Sequence, residues 1–539
     1  MSVADPPAPA PSRPAPAPAW APLRIAVFRA LWLALLASNI GTWMQTVGAQ
    51  WLLVDEPNAA TLVALVQTAS MLPILLLALP SGALADTFDK RRMLLAVQVW
   101  MFAVAAALAV LTAAGRMPPA LLLTLTFALG VGQALTLPAW QAVIPEIVPR
   151  TQLASASALG AISMNAARAI GPAIAGVLIA QSGVAAVFAL NSLSFVVFAV
   201  VLLRWRRPVR EDDRAPERFA AAVRAGGRYV RHSRIVRRIL LRAGLFMMPG
   251  SALWALLPLV ASQRLGMSAS GYGVLLAALG VGAVAGALLM PRVRARISAN
   301  RLLSGAGVIF ALVMLVVALV RQQVVVTVAL VPAGIAWVVV LSSINATMQL
   351  FLPGWVRARG LGVYQIVFAG SQGLGALAWG ALADGTSLVT AHVVAAAVML
   401  FGAVSVKWWP LRSIGGLDRE PASYWPEPHL DWEPEPHAGP VLVTVRYEVA
   451  PEREDEFVEA MEQVRRSRQR TGATRWGLFR EGEEARRFVE VYQVPSWDEH
   501  LRQHGGRLTG TDRDYERHAR ALAEGEPQVT HLLPARAEE

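Results

Sequence analysis

A helix needs roughly 20 consecutive apolar residues to cross a hydrocarbon layer about 30 Å thick. This chain carries twelve stretches of that kind, near 28–53, 60–84, 93–114, 119–144, 152–181, 183–203, 239–262, 269–290, 302–320, 323–347, 360–383 and 388–409. Inside lipid every backbone N–H and C=O must be bonded within the protein, so helices and closed barrels are the available folds. The runs are continuous rather than alternating with period two, which argues against a barrel. The expected fold class is an all-α membrane protein of twelve transmembrane helices, followed by a smaller soluble unit. Charge placement agrees. Charged residues make up 16% of the 539 and gather in short intervals between the runs, so the net charge of +12 points to membrane turns rather than to nucleic acid. There is no cysteine, which removes disulfides, thiolate catalysis and thiolate metal sites.

The distribution of basic residues sets the expected orientation. With the N-terminus cytoplasmic, the inner turns hold 22 basic residues and the outer turns three, Arg116, Arg264 and Arg321. Both termini are then inside, in a multi-pass protein of a bacterial inner membrane, with membrane lipids as constant partners. Residues 1–22 form a Pro/Ala-rich tail expected to be disordered and to lack the features of a secretory signal. Two six-helix bundles, 23–203 and 239–410, flank a cytoplasmic loop, 204–238, with twelve arginines. In that loop Phe219, Val223, Gly226 and Val230 mark one face of a helix, expected to lie against anionic headgroups.

The halves repeat. Ser81-Gly-Ala-Leu-Ala-Asp86 matches Ala285-Gly-Ala-Leu-Leu-Met290, and Gly171-Pro-Ala-Ile-Ala-Gly176 matches Gly375-Ala-Leu-Ala-Trp-Gly380, both at an offset of 204 residues. A six-span repeat of parallel topology is the architecture in which two bundles rock about a midplane site. No phosphate-binding Gly-x4-Gly-Lys-Ser/Thr loop occurs, which disfavours ATP-driven transport. Asp55, Glu56, Glu146 and Asp384 all lie near span ends, so no deep acid suggests itself as a proton carrier.

The turn Gly82-Ala-Leu84-Ala-Asp86-Thr-Phe-Asp-Lys90-Arg91-Arg92 resembles the major facilitator signature Gly-x-Leu-Ala-Asp-Arg-x-Gly-Arg-Arg, with Thr87 and Asp89 departing from it. The resemblance implies a latch between the bundles, with Glu146 and Arg150 as ionic partners. Trp43-Met44-Gln45, Pro138-Ala-Trp140-Gln141, the run Ile144 to Arg150 and Asn165-Ala-Ala-Arg168-Ala-Ile-Gly171-Pro172 resemble the enterobactin-exporter and macrolide-efflux branch of that superfamily, over about residues 24 to 410. Gly171, Pro172 and Gly176 are similar to the span-5 motif of exporters, although Ala175 stands where a glycine is expected.

In the superfamily the first and fourth helices of each half line the central cavity. On those helices Asn39, Thr42, Thr46 and Gln50 form one stripe; Gln133, Thr136 and Trp140 form a second; Ser342, Asn345 and Gln349 form a third. Each follows helical spacing, so each shares a face. Such stripes also arise from interhelical hydrogen bonds. Arg168 sits mid-span with apolar flanks, where a guanidinium either caps carbonyls or faces an anionic substrate. Arg242, near a span end, is expected to snorkel.

A Pro-, Glu- and Trp-rich linker, 411–439, leads to a soluble domain, 440–534. Alternation at Val441, Val443, Val445, Tyr447 and Val449 marks a strand, Phe457, Met461 and Val464 a helix, and further elements give the order βαββαβ, a ferredoxin-like α+β domain. It resembles antibiotic-biosynthesis-monooxygenase barrels, which implies a homodimer through this domain. His500 and His504 are spaced i, i+4 on what reads as a solvated amphipathic helix, and two ligands do not make a metal site. No metal, cofactor or catalytic residue is expected. The expectation is a secondary exporter of amphipathic small molecules, such as a siderophore, antibiotic or drug, by alternating access. The alternatives are a lipid or lysophospholipid flippase on the same fold and a membrane-tethered oxidoreductase.

Overall fold

A computed structural model describes residues 20–87, 89–205, 219–294, 296–411, 417–418, 422 and 434–535, without the side chains at 78–79, 81–87, 150, 154, 161, 219–223, 291 and 358. The chain runs α1 (Ala26–Leu52), α2 (Ala59–Thr87), α3 (Lys90–Ala113), α4 (Pro119–Ile147), α5 (Leu153–Arg204), α6 (Phe219–His232), α7 (Arg234–Leu259), α8 (Ala269–Arg294), α9 (Ala299–Leu319), α10 (Gln323–Phe351), α11 (Gly354–Gly385) and α12 (Leu388–Val404). It continues as β1 (Val441–Val449), α13 (Glu454–Thr471), β2 (Arg475–Arg480), β3 (Arg487–Val494), α14 (Trp497–Arg502), α15 (Gly510–Ala521) and β4 (Ala523–Leu532). Eleven helices among the described residues are long and apolar enough to cross a membrane, one fewer than the sequence suggested. The fifth and sixth expected spans run together in α5, which holds Gly183 at φ 79°, ψ 174°. Its two arms nevertheless meet the same stretch of α1. Gly171 lies against Ile40 and Trp43, while Asn191 Nδ2 donates to Gln45 Oε1 at 2.5 Å. Twenty residues of straight helix would hold those positions about 30 Å apart, so the chain doubles back at Gly183.

Lipid removes the hydrophobic drive between helices, and packing falls to small residues that let backbones approach. A Cβ on Gly282 would strike the Val331 carbonyl, and one on Gly334 the Leu279 carbonyl, so α8 and α10 cross in backbone contact. The bundle's outer surface stays apolar, with Val110, Leu288 and Val324 all more than 60% exposed. The sequence repeat has a geometric counterpart. Gly171 beds α5 on α1, and Gly375 beds α11 on α7 at Met248 and Ser251. Five residues further on, Gly176 meets Ala269, Ser270 and Gly273 of α8, while Gly380 meets Ala60, Thr61 and Ala64 of α2. Each glycine therefore touches i, i+1 and i+4 on a helix of the other half.

The C-terminal strands form one antiparallel sheet in the order β2-β3-β1-β4. The inward residues of β1 pack with Phe457, Met461 and Val464 of α13, as their alternation and spacing predicted. This unit is docked on the bundle through α6. Arg228 pairs with Glu499 at 3.1 Å, the Arg470 guanidinium lies 5.9 Å from the Tyr229 ring centre, and that of Arg507 lies 4.9 Å from Trp355 of α11. Tyr229 meets Trp355 edge-on at 5.7 Å. Two linker residues tie in as well, Ala422 N donating to Leu508 O and Thr511 N to Asp418 O. The buried face of α6 is Ala225, Gly226 and Tyr229, and it faces protein; Phe219 and Val223 lie outside the described side chains.

Candidate functional site

Successive hairpins put the ends of α1, α7 and α11 and the starts of α2 and α8 at the pole opposite α6. The two halves seal against each other there. Tyr272 OH donates to Gln50 Oε1 at 2.8 Å, and Trp51 stacks on Tyr272 at 6.1 Å. Along α2 and α11, Gln67 Nε2 donates to Gln372 Oε1 at 3.2 Å and Thr68 Oγ1 to Gly373 O at 2.8 Å. At the tip, Asp384 accepts from Ala60 N at 3.2 Å and Thr61 N at 2.7 Å.

Midway along the bundle, Arg168 of α5 lies between two indoles from different halves. Its guanidinium carbon is 5.3 Å from the centre of Trp43 on α1 and 6.0 Å from that of Trp254 on α7. The two indoles are 5.9 Å apart. Trp254 leads on to Trp337 of α10 at 5.3 Å, and Trp337 to Phe246 and Phe310. Arg168 Nε and the indole N–H groups of Trp254 and Trp337 are buried without hydrogen-bond partners among the described residues. An unsatisfied buried donor costs about 1–3 kcal/mol, and a cation held on π faces keeps its N–H fork available to an acceptor.

The polar stripes divide. Gln133 Nε2 donates to Thr42 Oγ1 at 3.1 Å and Asn39 Nδ2 to Ser163 Oγ at 3.2 Å, which joins α1, α4 and α5 in one polar patch beside Trp43. Thr46 and Thr136 donate to the carbonyls of Thr42 and Gly132 in their own helices. Gln50 belongs to the seal. Trp140 is buried in an apolar cluster and meets Phe198 at 6.3 Å, so it packs its own bundle. On α10, Ser342 donates to Val339 O and Gln349 to Asn345 Oδ1, bonds within one helix. Tryptophans 254 and 337 escaped the sequence reading because an indole in an apolar span resembles core; its N–H, which needs a partner, was the available signal.

Among the signature residues, Gly82 and Asp86 lie outside the described side chains, as does Arg150. Lys90 Nζ pairs with Glu146 at 2.8 Å, linking α3 to α4. Arg91 donates to the Leu202 and Leu203 carbonyls at the end of α5, and Asp89 caps α3 by accepting from Arg92 N. The departure at Asp89 thus supplies a helix cap. Gly171, Pro172 and Gly176 form crossing surfaces, since a Cβ on Gly171 would stand 2.9 Å from Ile40 O and one on Gly273 would stand 3.0 Å from Pro172 O. Arg242 does not snorkel. It is 4% exposed and donates to Gly402 O, Ser405 Oγ, Ser405 O and Trp409 O at the end of α12.

In the C-terminal unit the histidine face of α14 is turned inward, His500 being fully buried, while Leu501 on the same helix is exposed. His504 and His531 flank it with ring centres 4.5 and 4.9 Å away. Burial, with neighbouring imidazoles and Arg468, pushes His500 down to about 2; burial first, then Arg468 and His531, push His504 down to about 3. No group of three donors among the described residues could hold a metal ion. Beside them Arg468 pairs with Glu490 at 3.2 Å and Glu516 at 2.6 Å in the domain interior.

Residues 17–538 match the family model described as transmembrane secretion effector. The staphyloferrin A transporter of Staphylococcus aureus is 25% identical over 255 residues, 47% of this chain and 64% of that protein. Macrolide efflux protein A of Streptococcus pyogenes is 21% identical over 235 residues, 43% of this chain and 58% of that one. The chain thus spans less than two thirds of these curated relatives. A solved bacterial homologue of the human lysosomal transporter Spinster, inward-facing and unoccupied, superposes with a TM-score of 0.56 at 16% identity, over 72% of this chain and 95% of that one.

Proposed function

We propose, on the premise that this chain belongs to the transmembrane secretion effector family of major facilitator transporters, that it exports amphipathic anionic small molecules by alternating access. The chain is a multi-pass membrane transporter rather than an enzyme. The observation that carries the substrate class is Arg168 between Trp43 and Trp254. A guanidinium can bind a carboxylate or phosphate in two parallel hydrogen bonds, while indole faces take the apolar body. Because the two indoles come from opposite halves, a bound molecule would report its presence to both. The similarity to a staphyloferrin A transporter and to a macrolide efflux protein supports small-molecule transport, and the second supports its outward direction.

The rest of the reading follows from this site. The pole bearing α6 is cytoplasmic, supported by the bias of 22 basic residues against three. The contacts between the halves at the opposite pole are then the seal toward the outside. Counting α5 as two arms hinged at Gly183 gives twelve spans, six in 23–203 and six in 239–410. Asn39, Thr42, Gln133 and Arg168 form the polar wall of the cavity, with Thr46, Thr136 and the α10 residues Ser342, Asn345 and Gln349 further along it. Lys90 and Glu146 brace the cytoplasmic latch with Asp86. The sheet order supports a ferredoxin-like domain at 440–534, whose open face would pair two copies.

Transport into everted vesicles tests the substrate class. With matched anionic and neutral forms of one amphipath, Arg168→Leu is expected to lower anion transport about tenfold or more and leave the neutral form within about twofold. Arg168→Lys keeps the charge but loses the fork, and should fall between. Anion transport at the wild-type rate in both variants would overturn the reading.

A further inference from the structure

We infer that Asp384 is a positioning residue for the transport cycle: it caps α2 from the opposite half and so holds the pole away from α6 shut. The first turn of a helix has N–H groups with no partner inside it, and a side chain at the N-cap usually accepts from the second or third of them. In α2, which begins at Ala59, those are Ala60 and Thr61. Both donate to the Asp384 carboxylate, at 3.2 and 2.7 Å, across 324 and 323 residues of sequence. A negative charge at that end also faces the positive pole of the helix dipole.

The approach that permits this cap is built in. Gly380, one turn before Asp384, brings α11 so close that a Cβ there would stand 2.7 Å from Ala60 O. Packing alone does not require the carboxylate. The matching crossing of α5 on α8 has Gly176 in the same role, and the repeat offset of 204 puts Ala180 where Asp384 stands. At the start of α8, Ser268 and Ser270 bond to each other at 2.8 Å. One of two equivalent seams therefore carries a cap supplied by the other half. Asp384 is exposed, so water can replace the contact when the seam parts. A contact of that kind biases two states without locking either one, as a transport cycle needs.

The inference rests on the alternating-access reading, and the experiment separates the two. The chain has no cysteine, so spin labels at Glu56→Cys and Thr386→Cys report the width of this pole in full-length protein in lipid nanodiscs. Two distance populations are expected, mostly the short one. Asp384→Ala should raise the long population relative to the short about fivefold, the factor typical of a lost N-cap, and Asp384→Glu should restore much of the short one. Asp384→Asn, closest in shape, serves if the alanine variant folds poorly, and should give a smaller shift in the same direction. Transport should show a raised KM on the α6 side, since the state open there is depleted, a split that loss of folded protein would not produce. Two populations in an unchanged ratio would overturn the inference alone. A single population in every variant, with and without transported substrate, would overturn alternating access itself.

Discussion

A guanidinium taken out of water brings five N–H donors that need acceptors, and Arg242 and Arg168 meet that need differently. Arg242 spends its donors on the end of α12, where the last carbonyls of a helix lack partners. Replacing it with leucine leaves those carbonyls and Ser405 in apolar surroundings. Thermal unfolding of detergent-purified Arg242→Leu should show a loss of about 2–4 kcal/mol, and Arg242→Lys a smaller one. An unchanged midpoint would mean that α12 is held by packing alone. Arg168 was legible as unusual because no acid accompanies it in sequence, whereas the partners of Arg242 lie 160 to 167 residues away. Nothing local distinguishes an arginine that reaches for headgroups from one that closes a distant helix.

Helices were legible from hydropathy because spanning length is imposed by the bilayer, and most boundaries moved by a few residues. The break expected between the runs 152–181 and 183–203 falls at the Gly183 hinge, although both arms are apolar and no charge marks the turn. Small residues at crossings left a clear trace: of the three glycine pairs in the two motifs that match at an offset of 204, Gly171 with Gly375 and Gly176 with Gly380 lie at helix contacts in both halves. What the repeat could not reveal is which neighbour each glycine serves. Gly380 offers the sharper test. Valine there would drive its Cβ into Ala60 O and Ala64, backbone and a side chain with no room to turn. Gly380→Val is expected to abolish transport and lower the yield of monodisperse protein. Gly305→Ala, at a position open for 4 Å around, should be neutral or gain up to about 1 kcal/mol from helix propensity. Equal behaviour of the two, followed by size-exclusion profile and transport, would remove close packing as the reason for Gly380. In the C-terminal unit, strand alternation and helix spacing predicted β1 and α13, while the buried histidine face of α14 was not foreseen because it packs on His531 of the last strand.

For the molecule as a whole, the C-terminal domain is seated on α6 and α11. A proline-rich linker sets how far a domain can extend, not what the domain binds. Glu499 stands at the centre of that seat, between Arg228 and Arg507. Burial tends to raise its pKa, and the hydrogen bond and charge of Arg507, with Arg228 and Arg502, outweigh this and hold it below the usual carboxylate value. A lowered carboxylate contributes stability that is complete above its unfolded pKa of about 4.3 and is lost as pH falls through the folded value. The distance between one label on the bundle and one on β2 should therefore hold steady from neutral pH to about 5 and spread below about 4. Glu499→Gln, which leaves two arginines facing each other, should show the spread already at neutral pH. A variant as compact as wild type would mean that the arginine–aromatic contacts suffice. The seat also has a history during synthesis. Arg228 emerges 271 residues before its partner Glu499, so at about 5–20 residues per second the ribosome needs about 14–54 s to supply it. In that interval six further spans insert, and Arg228 waits for its partner Glu499. In the proposed orientation the cytoplasmic leaflet is the surface at hand. The newborn chain would thus use α6 first as a mooring on lipid and trade it for the domain once translation ends.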